Sequence, residues 1–289
     1  MISPKSDCHD LEKLNLWKST YALFGKYSIF EGPFYTEGYL NKKIGVQISR
    51  NGQTYVDIDL LATKEDGSWI GIELTTDPDA KKDEQLEKYL SITSNELGHL
   101  IALNIGEQKE IFLIDTTHID SEYAQITFDN QSNISVTNEM QIKNEKLRKR
   151  LLSLNEKPIP ISPSISFTMA PASTPFEVKT ALVPLILQLL TDKIKSISAE
   201  EMVKLCLTSL FEDISHNDKK GLIKITKSSM VDLINNYLPN YLQIKDDRYI
   251  RSDKKLSINT NSLQSVHNLI DKWVHSKKST QTFLDGFES

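Results

Sequence analysis

Two apolar runs that carry acidic residues constrain the fold of this chain more than any other feature. The first covers residues 55–63, the second is Trp69–Thr75, and the short segment between them contains Asp66 and Gly67. Side chains alternate along a strand, and a connection of this composition is typical of an antiparallel hairpin. A carboxylate beside a sheet core is unfavourable unless something compensates its charge. The pattern therefore predicts a β-hairpin with chemistry at its acids.

The spacing of the acids indicates what that chemistry involves. Asp57 and Asp59 are two residues apart, so we expect them to share one face of the first strand. Glu73 lies on the returning strand and can approach Asp59 across the ladder. Two carboxylates from adjacent strands can hold Mg²⁺ against a substrate phosphate. The alternative that the spacing leaves open is an edge hairpin whose acids face water.

The order of these residues resembles the core of the PD-(D/E)XK nuclease superfamily. In that core an Asp ends one strand and a (D/E)-x-K tripeptide ends the next, while Gln85 and Tyr89 resemble the Gln-x-x-x-Tyr helix of the RecB-like branch. The resemblance covers about residues 8–120. It implies an α/β fold with a restriction-endonuclease-like mixed sheet flanked by helices. It further implies that Asp59 and Glu73, with Asp57 as a third candidate, hold Mg²⁺ or Mn²⁺, and that Gln85 and Tyr89 belong to the catalytic site.

One position departs from the superfamily pattern, because Thr75 stands where the tripeptide has its lysine. A threonine hydroxyl forms hydrogen bonds but carries no positive charge. Three alternatives stay open. Lys81 or Lys82 supplies the missing charge from the start of the next helix, the metal and water act without a lysine, or the domain binds DNA or a partner protein without cutting.

The length and the proline pattern predict two domains. The chain has 289 residues, and residues 157–175 form a Pro/Ser-rich linker with five prolines. We predict a nuclease-like domain at 1–156, a second domain at 176–280 and an acidic, aromatic tail at 281–289. The net charge of −5 does not by itself favour DNA binding, but the acidic excess lies in the first domain and residues 157–289 are slightly basic.

The second domain is predicted to be mainly helical, and helices followed by a short β-ribbon resemble a winged-helix domain. The resemblance implies a recognition helix that opens with three of the candidate DNA-binding residues and a wing that carries the others. A protein-interaction module is the alternative left open, because three aspartates dilute the charge of the wing. The candidate DNA-binding residues are Lys227, Ser228, Ser229, Arg248, Arg251, Lys254 and Lys255.

The periodicity also predicts the individual elements. Helices are expected at 8–27, 79–96 (capped by Asp79), 138–154, 178–195, 198–213, 226–238 and 261–276. Strands are expected at 44–50, 54–63, 68–75, 99–105, 110–115, 123–128, 241–244, 248–251 and 255–258.

Several function classes lack support in the sequence. No apolar run reaches the roughly 20 residues of a membrane helix, and the first residues lack a signal-peptide core, so we expect a cytoplasmic protein without membrane contact. Cys8 and Cys206 form no metal-ligand pattern, and no Gly-rich phosphate loop supports ATP hydrolysis.

These inferences predict a metal-dependent DNA endonuclease or a nuclease subunit. The resemblance implies a setting in restriction, phage defence or mobile-element processing. The alternative is a catalytically inactive nuclease-fold subunit of a larger complex. DNA is the expected partner, and a separate ATPase, helicase or transposase-like protein, or a second copy of the chain, stays open as a further one.

Overall fold

The computed structural model describes residues 5–27, 30–77, 79, 82–101, 105–129, 131–160, 167–171, 173–252 and 260–276. Of the predicted features, Lys81, Lys254, Lys255, strand 255–258, tail 281–289 and the middle of the linker lie outside these ranges. The chain forms two compact units. Unit 1 comprises Met1–Ser166 with Asp213–Ser215, and unit 2 comprises Phe167–Glu212 with His216–Ser289.

Unit 1 is an α/β structure built on a six-stranded mixed sheet with flanking helices. Its elements are α1 (Lys5–Ala22), β1 (Lys26–Tyr27), β2 (Phe30–Glu31), α2 (Pro33–Thr36), β3 (Asn41–Arg50), β4 (Gln53–Thr63), β5 (Trp69–Thr75), α3 (Asp83–Ser91), α4 (Ser94–Ile101), β6 (Lys109–Asp115), β7 (Ala124–Phe128), β8 (Ile134–Thr137) and α5 (Glu145–Ser153). The sheet order is β3-β4-β5-β6-β7-β8. Pairing is antiparallel from β3 to β5, parallel from β5 to β7, and antiparallel between β7 and β8.

The hairpins of this sheet follow from their turn residues. Asn51 and Gly52 both have positive φ, 53° and 76°, as a two-residue type I′ turn requires, and they join β3 to β4. Gly67, at φ 86°, lies in the connection from β4 to β5. The predicted hairpin at 54–63 and 68–75 is therefore confirmed to within one residue at each end.

The prediction of one helix at 79–96 and a strand at 99–105 was wrong. The helix begins at Asp83 with Lys82, not Asp79, at the N-cap position, and it ends at Ser91. A second helix then runs to Ile101, into the predicted strand. The restart has a local cause, because Thr93 and Glu96 exchange side-chain-to-backbone hydrogen bonds of 2.9 and 3.4 Å in a reciprocal cap.

Two further differences follow β7. Strand β8 was not predicted, and it forms one edge of the sheet by pairing with β7. The predicted helix 138–154 is shorter at its start, because Asn144 caps α5 by accepting hydrogen bonds from the amides of Lys146 and Leu147. The buried Glu110 fixes the same corner, since its carboxylate accepts from the amides of Lys143 and Asn144 at 3.0 and 2.7 Å.

Unit 2 is mainly helical and contains a small antiparallel sheet. Its elements are α6 (Pro175–Leu190), β9 (Ser196–Ile197), α7 (Ala199–Leu207), α8 (His216–Asn236), β10 (Leu242–Lys245), β11 (Arg248–Arg251) and α9 (Thr260–Val274). The sheet order is β10-β11-β9, so the two-residue β9, which was not predicted, pairs with the second strand of the ribbon.

Capping residues set the helix ends in unit 2. Ser198 and Glu201 form a capping box at α7, and Thr174 and Glu177 form another at α6. The prediction that a helix begins at 226 was wrong, because α8 begins ten residues earlier, at His216. The ribbon turns tightly at Asp246 and Asp247, whose φ angles are 50° and 56°.

No helix in the described part of the chain combines the length and the apolar character needed to cross a bilayer.

Candidate functional site

The candidate site lies where strands β4 and β5 separate. Their ladder runs from Thr63 opposite Trp69 to Leu60 opposite Ile72, and Asp59 and Glu73 are the next residues on each strand. The ladder does not continue there. Instead the backbone amide of Leu74 donates to Asp59 Oδ2 at 2.8 Å. Asp59 and Glu73 therefore lie on adjacent strands directly beyond the point where the ladder ends, close enough for the charge of Glu73 to act on Asp59.

Asp57 contributes its backbone rather than its carboxylate. Its side chain is exposed and accepts a hydrogen bond from Gln47 Nε2 at 3.2 Å. Its carbonyl oxygen, left without a partner on β5, accepts from Gln85 Nε2 at 3.1 Å and from the Tyr89 hydroxyl at 2.8 Å. The structure thus places the Asp57 carboxylate outside the group of contacts around Glu73.

The side chains of β4 do not alternate strictly between the two faces of the sheet, and the neighbouring strand β3 shows why. Val56, Ile58 and Leu61 all belong to one core cluster, so the strict alternation of faces changes between Ile58 and Leu61. The partner strand has Gly45 at that point, with a φ of 64° that favours glycine. Asp59 lies within this irregular stretch, which explains why simple alternation from Asp57 does not describe it.

Glu73 is the centre of the site. It is 2% exposed, and three side chains from the α3 region donate to its carboxylate. Lys82 Nζ lies 2.7 Å from Oε1, while Gln85 Nε2 and the Tyr89 hydroxyl lie 2.7 and 2.5 Å from Oε2. Gln85 and Tyr89 are four residues apart, so they project from one face of α3. The predicted helix motif therefore holds the predicted second carboxylate.

A glycine permits this close approach of α3 to the sheet. A Cβ atom at Gly71, two residues before Glu73 on β5, would lie 3.2 Å from the Tyr89 ring and 3.2 Å from the Trp69 side chain. Leu86 and Tyr89 are fully buried against this face. Gly71 thus gives Tyr89 the space from which its hydroxyl reaches both strands.

The electrostatics at Asp59 differ from those at Glu73. Burial, followed by the negative charge of Glu73, raises the pKa of Asp59 to about 7, although the Leu74 amide and the Lys82 ammonium act in the opposite direction. Burial and Glu73 also raise the pKa of the Tyr89 phenol, so this hydroxyl stays a hydrogen-bond donor. Asp59 Oδ1 accepts no hydrogen bond from the described residues.

Asp59 and Glu73 are the described residues that could hold a hard divalent cation, although both oxygens of Glu73 already accept hydrogen bonds. The pair carries two acidic groups against a single ammonium, and one oxygen of Asp59 is open. Mg²⁺ is commonly held by one or two carboxylates together with water and substrate phosphate. Among the described residues, no group of three or more His, Cys, Asp or Glu is arranged to hold a metal, so a binding site here would be of that two-carboxylate type.

Lys82, not position 75, brings positive charge to the carboxylates. Thr75 is buried at the end of β5, and its hydroxyl accepts a hydrogen bond from the Asp77 amide at 3.1 Å. Lys82 precedes α3 and reaches back to Glu73. Of the two lysines that the sequence offers, Lys81 lies outside the described residues, so the structure describes Lys82 alone.

The candidate DNA-binding residues of unit 2 are distributed differently from the prediction. Lys227 is exposed and pairs with Asp247 at 2.9 Å, but Ser229 is 1% exposed and lies inside unit 2. Arg248 donates to Ser196 and pairs with Glu201 at 2.8 Å. Arg248 thus ties the ribbon to its own unit.

A surface that the sequence reading missed runs along α8. Lys220, Lys224 and Lys227 are exposed and follow one another at the i, i+4 and i+7 spacing that aligns side chains on one helix face. The spacing was readable in the sequence, but a helix predicted to start at 226 excluded two of the three lysines.

Comparisons of the chain with known proteins identify no related protein. No protein-family model matches the chain, and no curated protein or solved structure shows significant similarity to it.

Proposed function

We propose that unit 1 is a divalent-metal-dependent phosphodiesterase that acts on DNA, with Asp59 and Glu73 as its metal-binding pair. One observation carries this proposal: Glu73 accepts hydrogen bonds from Lys82, Gln85 and Tyr89 directly beside Asp59, at the point where β4 and β5 part. The order of these residues is that of the PD-(D/E)XK resemblance, with Lys82 in place of the tripeptide lysine.

Asp59 and Glu73 would hold Mg²⁺ or Mn²⁺, an ion that polarises a phosphate oxygen and lowers the pKa of water. Gln85 and Tyr89 are positioning residues, because the Gln85 amide donates to both Glu73 and the carbonyl of Asp57, and the single proton of the Tyr89 hydroxyl lies between the same two acceptors. They thereby fix the carboxylate of one strand relative to the backbone of the other. Such support from hydrogen-bonded neighbours keeps a reactive geometry from drifting.

Lys82 supplies the positive charge that Thr75 lacks. Its ammonium group has three donors and uses one on Glu73 Oε1 in the described contacts. The remaining donors can bind a phosphate oxygen and stabilise the negative charge that develops on it during displacement. The side chain is about a quarter exposed, so a phosphate can reach its head group.

Unit 2 supports the same proposal as a DNA-contacting module. The order α6-β9-α7-α8-β10-β11, with β11 between β10 and β9, is similar to that of a winged helix, in which α8 would be the recognition helix. Its exposed lysines, Lys220, Lys224 and Lys227, suit contacts with DNA phosphates.

A second candidate function is a non-cutting, nuclease-like DNA-binding subunit. Two observations favour it. Thr75 engages the Asp77 amide rather than the site, and both oxygens of Glu73 already accept hydrogen bonds. Under this alternative the Lys82–Glu73 pair stabilises the fold and has no catalytic role.

The test is cleavage of plasmid and linear DNA by the full chain with Mg²⁺ or Mn²⁺. We expect Glu73→Gln and Asp59→Asn to lower the rate at least about 100-fold while DNA affinity is retained. Glu84→Gln is the matched control, because Glu84 is exposed on α3, undergoes the same chemical change and takes no part in the hydrogen bonds around Glu73. Its rate should equal that of the wild type.

Lys82→Met separates the two candidate functions. A catalytic lysine predicts a lower kcat with an almost unchanged KM, and partial rescue by Lys82→Arg. If the wild-type chain binds DNA but does not cleave it with either ion, the second candidate function replaces the first.

A further inference from the structure

Positive charge is concentrated in and just before helix α5, although residues 1–156 as a whole have an acidic excess. Five of the eight residues from Lys143 to Arg150 are basic and one is acidic. Four of the basic side chains are exposed and form what we call the α5 surface: Lys143, Lys146, Lys149 and Arg150. The last three follow one another at i, i+3 and i+4, so they project from one face of the helix.

Two side chains of the α5 surface are paired with acids but stay exposed. Lys149 Nζ lies 3.4 Å from Glu145, the one acidic residue of α5. Arg150 Nε lies 2.7 Å from Glu37. The side chains of Lys149 and Arg150 remain 74% and 49% exposed, so neither charge is buried by its pair. Because exposed ion pairs contribute little stability, an outside anion can compete for both.

Lys146 is the least compensated charge of the α5 surface. It forms no salt bridge with any residue that the structure describes, and Lys149 and Arg150 are its i+3 and i+4 neighbours. Like charges at these spacings destabilise a helix. Lys146 also lies in the first turn of α5, where the helix dipole disfavours a cation. The free chain thus carries an arrangement of charge that an anionic partner would relieve.

The α5 surface is separate from the Asp59–Glu73 pair. The amides of Lys143 and Asn144 donate to the carboxylate of Glu110, near the start of β6. Glu73 lies near the end of β5, which runs parallel to β6. Helix α5 therefore begins toward the opposite end of these two strands, and a contact on its surface holds a ligand without touching the reacting atoms.

The chemistry of the α5 surface favours duplex DNA over other polyanions. Lys146 and Arg150 are about 6 Å apart along the helix axis, so the surface offers repeated positive charges. A duplex carries one phosphate charge per roughly 1.7 Å of its axis, which is twice the density of a single strand. Helix α5 contains no aromatic side chain on which an unpaired base could stack. A lipid bilayer suits the helix less, because Leu147 and Leu151 are buried and unavailable for insertion.

We propose that the α5 surface binds the sugar-phosphate backbone of duplex DNA and anchors the substrate of unit 1 away from the site of cleavage. The contact is independent of base sequence, because phosphate contacts carry no sequence information directly. The inference rests on the proposed function, since it takes DNA as the substrate. It assigns to α5 a part in substrate binding and none in the chemical step.

Binding of a fluorescently labelled duplex to the full chain, measured by anisotropy in EDTA over a series of salt concentrations, tests the proposal. The α5 variant combines Lys143→Gln, Lys146→Gln and Lys149→Gln. We expect it to bind at least about 10-fold more weakly, with a salt dependence lower by about 2 to 3 in slope. A duplex of unrelated sequence should show the same loss.

The matched control removes the same charge from exposed lysines of unit 1 outside α5. It combines Lys13→Gln, Lys26→Gln and Lys43→Gln and should weaken binding less than about two-fold. Equal losses in the two triple variants, or no loss in the α5 variant, would overturn the proposal. So would an α5 variant that keeps its affinity for DNA but loses affinity for phosphatidylserine vesicles or for polyglutamate, since the surface would then serve a membrane or an acidic protein.

Lys146→Gln alone gives a second readout that a structural role would not produce. It relieves the repulsion from Lys149 and Arg150, so the midpoint of thermal unfolding at low salt should be unchanged or higher while duplex affinity falls several-fold. A lower midpoint would mean that Lys146 stabilises the fold, and would overturn the argument from charge.

Cleavage with Mg²⁺ separates this proposal from the proposed function. In the α5 variant we expect KM to rise in proportion to the loss of affinity, with kcat almost unchanged. A wild-type chain that binds duplex through α5 but does not cut refutes the proposed function alone. A wild-type chain that cuts, and whose α5 variant binds and cuts normally, refutes the α5 surface alone.

Discussion

Each unit contains a cluster of buried charge, and the two clusters differ in how that charge is compensated. In unit 2, Lys179 is 6% exposed and donates to the Trp273 carbonyl and Ser276 Oγ at 3.1 and 2.9 Å, with Asp232 at 3.9 Å. Opposite charges cancel there, and the ammonium caps the end of α9. In unit 1, by contrast, two acids share one lysine.

This difference in charge compensation distinguishes the Lys179 cluster, which has a structural role, from the candidate site at Asp59 and Glu73. Burial lowers the pKa of Lys179 and raises the pKa of Asp59, so burial alone does not distinguish the clusters. What distinguishes them is the second acid beside Asp59, which leaves excess negative charge and an open oxygen. An arrangement that destabilises the protein without a ligand points to a function.

The largest expected effect on stability comes from a substitution in unit 2. Lys179→Ala should lower the free energy of unfolding by about 3 kcal/mol, because it leaves Asp232 without its cation and α9 without its cap. Urea denaturation of the purified chain measures this. Lys193→Ala, an exposed lysine, is the control. If the Lys179→Ala chain is as stable as the wild type, the Lys179 cluster does not stabilise unit 2.

Replacing Asp59, in contrast, should raise the free energy of unfolding. Its pKa in the folded state, about 7, lies above the value near 3.8 of an unperturbed aspartate, so the folded state holds the extra proton between these values and loses stability as the pH rises. Asp59→Asn should therefore stabilise the chain by about 2 kcal/mol at pH 8, and by much less at pH 5.

Asp66 offers a comparison for that experiment. Hydrogen bonds from Ser68 lower the pKa of Asp66, so its contribution is present at neutral pH and is lost on acidification. Asp66→Asn should thus reduce stability at pH 8. Thermal melts of both variants and the wild type in EDTA between pH 5 and pH 8 test these expectations. If the stability difference between Asp59→Asn and the wild type does not change with pH, the raised pKa of Asp59 is contradicted.

A smaller effect is expected for Tyr89→Phe. The change removes a hydroxyl that lies within hydrogen-bond distance of both Glu73 and the Asp57 carbonyl, so we expect a loss of about 1.5 kcal/mol in the free energy of unfolding. If cleavage is observed, its rate should fall about ten-fold or more, since Glu73 loses one of its supports. Tyr123→Phe, on the same unit, serves as control, and equal losses in the two variants would refute a special role for Tyr89.

The smallest effect concerns the surface of α8. Lys227 and Asp247 are both exposed, and a double-mutant cycle with alanine at each position should give a coupling energy of at most about 0.5 kcal/mol. A coupling above about 1.5 kcal/mol would mean that the ribbon turn depends on this pair, and that Lys227 is not available to DNA.

The sequence predicted the parts of unit 1 that depend on local chemistry. Asn51-Gly52 specifies a hairpin turn, and the alternation in β4 and β5 specifies strands, so both were predictable. The meeting of Asp59 and Glu73 followed from the register of that hairpin. Asp57 was harder, because its role depends on where β5 leaves β4 and on the conformation of Gly45, which no local pattern encodes.

The wrong predictions of secondary structure concern mainly where helices begin and end. A single helical pattern across 79–96 hides the break at Ile92, which the reciprocal cap of Thr93 and Glu96 sets. The early start of α8 was missed because Gly221 weakens the helical pattern, yet that glycine is exposed and does not interrupt the helix. Two-residue strands such as β9 carry too little sequence signal and are fixed by their partner strand.

The most direct test of the central claim is calorimetric titration of the full chain with Mn²⁺ and Mg²⁺ at pH 8. We expect a divalent-ion site that is lost in Glu73→Gln and in Asp59→Asn and kept in Glu84→Gln. Undiminished binding by both site variants, or no binding by the wild-type chain in the presence of DNA, would contradict it.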